Sequence, residues 1–254
     1  MVEQSRAEME VKAAVTIAQQ NPRDPEAARR RMQFACRQPA LALKAFYSFP
    51  RGREIVSGAS IQLATELALN YGNIQYSVVE LSRDSGAGQS EILVYAWDLE
   101  ANSRSAQIFI APHLRYTSRN AQKLTDLRDV YENNSNQGAR RLREAIFKVL
   151  PAWYVGEATE LCRETIGKHI AELVATYEKV GVSLEQLEAK VECRRSEWTG
   201  KHATELASLY TSVSCGEITR DDAFPPIGGA AATGRVTAEE LTGGAPANAP
   251  GGPQ

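Results

Sequence analysis

Apolar and polar residues recur along this chain with two periods, and the points where the period changes divide it into elements. Residues 3–20 put alanines, Val11, Val15 and Ile17 on one side at helical spacing. Asp24 before Pro25 is the pairing of N-cap and first-turn proline that opens a helix, and Gln38-Pro39 ends it. The segment ALALKAFYSF follows, then PRGREIVSGAS, which reads as a loop rich in Arg, Gly and Ser. Ser60 is placed to cap IQLATELALN, a short helix stopped near NYGN. The period then drops to two. NIQYSVVELSRD and SEILVYAWDLEA are strand-like runs joined by the hairpin loop SGAGQ, and RSAQIFIAPHLRY is a third run after the turn EANS.

The helical period returns in NNSNQGARRLREAIFKVLP, from Asn133 to Pro151. At 100° per residue, Gly138, Ala139, Ala145, Ile146, Val149 and Leu150 fall within about 80° of Leu142. Asn133, Gln137, Arg140, Arg141, Glu144 and Lys148 gather on the opposite side. Pro151 ends the pattern. The plain account of the wet face is a solvated surface laced by Arg140–Glu144 and Glu144–Lys148 pairs at i,i+4 spacing. Phe147 projects about 140° from the apolar centre, among Arg140 and Arg143, as a stacking residue or a subunit contact. Beyond it, residues 152–178 read as a further helix. VGVSLEQLEAKV, HATELASLYTSVSCG and EITRDDAFPP form a small helical module with one last turn near Thr219. After Pro226 the chain is mostly Gly, Ala and Pro and reads as disordered.

The order helix, three strands, helix predicts an α+β fold. It comprises an antiparallel three-stranded meander packed with helices, a small helical C-terminal module and a disordered tail. The expected divisions are an N-terminal helix over 1–22, a core over 23–178, a module over 179–226 and a tail over 227–254.

Charge sharpens this outline. The net charge of −2 averages unlike segments. From Arg23 to Arg53 there are eight Lys/Arg against two Asp/Glu, and from Ala101 to Leu150 nine against four. From Pro151 to Asp222 the balance is eight against thirteen. Two basic stretches and an acidic one point to an anion-binding body with an acidic appendix. Cys36, Cys162, Cys193 and Cys215 are scattered, as are His113, His169 and His202, so no zinc spacing appears and free thiols are expected. No apolar run reaches the roughly 20 residues of a membrane span, which points to a soluble cytoplasmic protein. Phosphate-loop, HExxH, GxSxG and dinucleotide fingerprints are absent. Asp84, Glu91, Asp98 and Glu100 sit on or near strands, which leaves a metal-dependent nuclease as an alternative, with a non-catalytic adaptor as another. Tyr76, Tyr95, Trp97, Phe109 and Tyr116 suit base stacking, although core packing is the simpler account for most of them.

The run GARRLREAIFKVLP resembles the part of phage RecT proteins in which a Lys/Arg-rich helix ends in an F-K-x-L-P motif. The preceding order of short helix, NYGN-like turn, meander and basic helix is similar to the core of Redβ and of eukaryotic strand-annealing mediators. The likeness covers roughly residues 30–226, and its C-terminal part is similar to a helical module carried by phage annealing proteins. Arg140 falls where that family has a helix lysine, and Phe147, Lys148, Leu150 and Pro151 match its motif. Glu144 and Ala145 stand where the family has arginines, which shifts the expected phosphate contacts to Arg140, Arg141 and Arg143. The resemblance implies ATP-independent annealing of complementary DNA strands by rings or filaments of the protein, with no catalytic residue and no cofactor.

The candidate DNA contacts are Arg51, Arg53, Arg115, Arg119, Lys123, Asn133, Gln137, Arg140, Arg141, Arg143, Phe147 and Lys148. The partners expected are single-stranded DNA, the annealed duplex intermediate and further copies of the chain. The acidic module is expected to recruit a host single-strand-binding protein or a partner exonuclease, and to be dispensable for annealing when the chain ends near Gly181. No membrane partner is expected, and a phage-encoded chain would work in the bacterial cytoplasm.

Overall fold

Two helices open the chain, α1 (Val2–Gln20) and α2 (Pro25–Cys36). The computed structural model describes residues 2–51, 54–116 and 120–226, and the expected tail over 227–254 lies outside the described residues. Asp24 caps α2 as its position implies, its carboxylate accepting from the amides of Glu26 and Ala27 at 2.9 and 3.1 Å. A turn, α3 (Pro39–Ala42), leads into β1 (Phe46–Arg51), which pairs antiparallel with β2 (Glu54–Ala59). The loop expected over PRGREIVSGAS is therefore a hairpin. Strand-favouring FYSF and EIV outweigh Pro50 and Gly58, and the register runs from Phe46 opposite Ala59 to Arg51 opposite Glu54.

Helix α4 (Ile61–Tyr71) starts at Ser60, whose hydroxyl accepts from the Leu63 amide at 3.1 Å. The meander then forms as expected, with β3 (Ile74–Asp84), β4 (Gln89–Asp98) and β5 (Ser103–Pro112) in that spatial order. The third run stops at Pro112 rather than Tyr116. Beyond it the His113 amide bonds the Gly88 carbonyl at 2.8 Å, and β6 (Leu114–Tyr116) pairs with β7 (Ala121–Lys123) as a second small hairpin. The remaining elements are α5 (Leu127–Val149), α6 (Ala152–Lys179), α7 (Leu184–Val191), α8 (Gly200–Ser214) and α9 (Arg220–Ala223), with a single 3₁₀ turn at Arg195–Glu197. The chain is thus α+β, a three-stranded antiparallel sheet packed against helices.

Alternation along β4 decides which face is covered. Ile92, Val94 and Ala96 are buried toward α4 and α5. Leu93, Tyr95 and Trp97 share the other face, where Val79 and Ile108, their neighbours across Leu93, are exposed. The core-packing account of the strand aromatics therefore holds for Phe109 and fails for Tyr95 and Trp97. Helix α5 seats the row Val130, Asn134, Gly138, Leu142 and Ile146 against the sheet. The approach is close at Gly138, where a Cβ would stand 2.6 Å from Cγ1 of Val78.

A buried ion cluster ties the start of the chain to the end of the sheet. The Arg23 guanidinium bonds both Asp98 oxygens, at 2.7 and 2.5 Å, and Glu100 at 3.0 Å, while its face lies 4.1 Å from the Tyr71 ring centroid. Asn73 adds a bond to Glu100 at 2.8 Å.

Helix α6 belongs to two cores. Tyr154, Ala158 and Cys162 join the core under the sheet, whereas Ile170, Leu173, Val174 and Tyr177 pack with Val182, Leu187, Trp198, Leu206 and Phe224. The core of the C-terminal helices thus draws on α6 from Ile170 onward. Gly200 also abuts the core: a Cβ there would lie 2.7 Å from the Leu43 carbonyl carbon. A chain ending at Gly181 leaves half of α6 without its packing partners. Hydrogen exchange on such a chain should show residues 170–177 losing protection while residues 154–162 keep it.

Replacing Gly138 tests this close approach of helix and sheet. Gly138→Ala gains roughly 1 kcal/mol in helix propensity but overpacks Val78, at a cost of about 1–3 kcal/mol. Denaturant unfolding should show a net loss in the native background and a gain when Val78→Ala is also present.

Candidate nucleic-acid interface

The wet side of α5 does not face open solvent along its whole length. Together with β1, the start of α4 and the segment after β5 it bounds a groove of about 920 Å³. Six of the candidate residues line it: Arg115, Asn133, Gln137, Arg140, Arg141 and Arg143. Four arginines stand against one glutamate, Glu132, among the lining residues, so the groove is cationic although the chain is not.

Each side chain is held differently. The Arg141 guanidinium lies 3.6 Å from the Phe109 ring centroid and bonds the Gln137 carbonyl at 3.3 Å. That of Arg143 lies 4.6 Å from the Tyr47 ring centroid. Stacking on rings restrains both planes before any ligand arrives, which lowers the ordering cost of binding. Arg115 reaches Asp129 at 3.3 Å. Among the described residues, Arg140, Arg141 and Arg143 have no carboxylate within ion-pair distance. Glu144 instead pairs with Lys148 at 2.9 Å, so of the two i,i+4 pairs expected one forms and the Arg140–Glu144 pair does not.

The amides divide between structure and groove. Asn133 donates to the Pro112 carbonyl at 2.9 Å. Asn134 is buried and donates to the Ser90 hydroxyl at 2.9 Å. Ser90 in turn donates to Glu80 at 2.8 Å and lies 2.8 Å from Nε2 of His113. These bonds fix the rotation of α5 about its axis, leaving Asn136 and Gln137 to line the groove. Ser60, Ile61 and Gln62 bring the N-terminal end of α4 to the same wall, where the helix dipole favours negative charge.

Three candidates stand elsewhere. Phe147 is half-buried and packs against the main core, a contact that its wheel angle does not reveal. Lys148 is at the C-terminal end of α5, held by Glu144. Lys123 is on β7, near the β3–β4 turn at Gly88. Arg53, Arg119 and the side chain of Arg51 lie outside the described residues. Among the lining residues that the sequence reading missed are two aromatics, Tyr47 and Phe49. Their spacing of two in FYSF was the available signal, and the neighbouring Pro and Gly obscured it.

The strand carboxylates do not converge. Asp98 and Glu100 are bound to Arg23, Asp84 accepts from the Ala87 amide at 2.9 Å, and Glu91 accepts from Ser82 at 3.4 Å. Among the described residues no group of His, Cys, Asp and Glu is arranged to hold a metal ion, and no helix is long and apolar enough to cross a membrane. The four cysteines are unpaired. Comparison with protein-family models, curated proteins and solved structures finds no match.

The network under α5 carries a pH signature. Arg83, bonded at 2.7 Å, holds the Glu80 carboxyl below the usual carboxylate range; partial burial opposes this, and the Ser90 hydroxyl assists it. A depressed folded pKa stabilises the native chain above the unfolded value of about 4.3, and the gain is lost as pH falls through the folded value. Thermal melts should therefore place Glu80→Gln below the native chain at pH 7. The two should converge as the pH drops from about 4.3 through that lower value.

Proposed function

We propose that this chain is an ATP-independent single-stranded DNA-binding and strand-annealing protein of the RecT and Redβ type, acting as a homo-oligomer. The observation that carries the reading is the cationic groove, in which Arg140, Arg141 and Arg143 line one wall with no carboxylate partner among the described residues. A single strand lying along α5 places its phosphates against these guanidiniums and releases counterions. Asn136 and Gln137 bond phosphate or sugar without preference for a base. Neutralising one backbone removes much of the repulsion that a second strand meets as it tests pairing. No covalent bond changes, so the work is holding, shielding and release.

The acidic end of the chain repels DNA and is suited to recruiting a protein, such as a single-strand-binding protein or an exonuclease. Its packing on α6 makes it an extension of the core rather than a tethered bead.

Complementary oligonucleotides mixed with the purified chain and no ATP test the proposal directly. Faster annealing, with rings or filaments by electron microscopy of the same sample, is the expected result. Shortening of a labelled single strand in magnesium would instead indicate a nuclease. The double variant Arg140→Ala/Arg141→Ala should weaken binding to all sequences alike and lower the slope of log affinity against log salt by about 1.4, for two lost contacts to a single strand. An unchanged slope in the folded variant removes this face from the DNA site.

A further inference from the structure

We propose that Tyr47 and Phe49 on β1 form a stacking seat for an unpaired nucleobase, so that the groove holds a strand by phosphates on α5 and by a base on the hairpin. This rests on reading the groove as a DNA site. Residues two apart on a strand point to the same side, and both rings line the groove. Their centroids are 5.8 Å apart and their planes differ by 26°, so the two rings stack with their faces nearly parallel, the arrangement that a further planar ring can extend.

The seat is built rather than incidental. Tyr47 lies opposite Gly58 in the hairpin register, and a Cβ at that position would come within 2.7 Å of the tyrosine oxygen. Glycine therefore clears the space that the Tyr47 ring occupies. The Arg143 guanidinium, 4.6 Å from the same ring centroid, ties the seat to the phosphate-binding wall. Phe49, stacked on Tyr47, remains 47% exposed at the groove.

A planar nucleobase is the group that matches this surface. Every base has a π-face, so stacking there is independent of sequence, in keeping with a wall of guanidiniums and amides that reads no bases. In duplex DNA each base face is already occupied by its neighbours. The seat thus favours a strand that is still unpaired, and pairing with a complement removes that grip while the phosphate contacts remain.

The test uses the full chain and two fluorescein-labelled strands with equal numbers of phosphates, oligothymidine and an abasic strand, titrated over a range of sodium chloride. The native chain should bind oligothymidine about tenfold more tightly, the effect of stacking one base, with similar salt slopes for both strands. Phe49→Ala and Phe49→Leu should bind the two strands alike and keep the native slope. The leucine variant separates stacking from mere apolar bulk. Equal affinities in the native chain, or a preference that survives both substitutions, overturn the seat while leaving the groove as a DNA site. Failure to bind either strand at low salt overturns the groove reading and the seat together.

Discussion

The close approach of α5 to the sheet at Gly138 is the constraint on which the rest of the structure depends. A helix has one rotation about its axis that buries its apolar row, and here that row runs through Val130, Gly138, Leu142 and Ile146. Glycine lets the backbone come down onto Val78, and the Asn134–Ser90 and Asn133–Pro112 bonds hold the rotation from its flanks. Turning the helix by one residue would drive an arginine toward the core, where an unpaired charge costs several kcal/mol. The position of the cations therefore follows from the packing of the opposite side.

Charge in this chain is used in two ways that composition does not separate. Much of the first basic stretch is structural: Arg23 bonds Asp98 and Glu100, Arg29 bonds Glu157, and Arg31 bonds the Asn70 carbonyl. The second stretch supplies the free guanidiniums of the groove. The difference lies in what surrounds each side chain. Arg23 is almost fully enclosed beside two carboxylates, whereas Arg141 and Arg143 are braced by rings that leave their charge unneutralised.

Much of the fold was legible because it rests on local chemistry. Asp24 and Ser60 capped the helices that they precede, the three alternating runs formed a meander, and the apolar arc around Leu142 became the buried side of α5. Three features escaped. Pro50 and Gly58 concealed the first hairpin, Asn134 was left out of the apolar arc although it lies on the buried i,i+4 row, and α6 was assigned to one unit although it serves two cores. Each turns on partners distant in sequence, which override local preference.

By itself the sequence determined the class of fold, the amphipathic setting of α5 and the presence of a basic face, since all three follow from periodicity and side-chain type among neighbouring residues. Tertiary structure alone decided which cations remain free and what they face. The groove joins residues from 47–62, 112–115 and 132–143. Only folding sets Tyr47 beside Arg143 or closes Asp98 onto Arg23. Such contacts depend on how elements stack in space, which the spacing of residues along the chain does not encode.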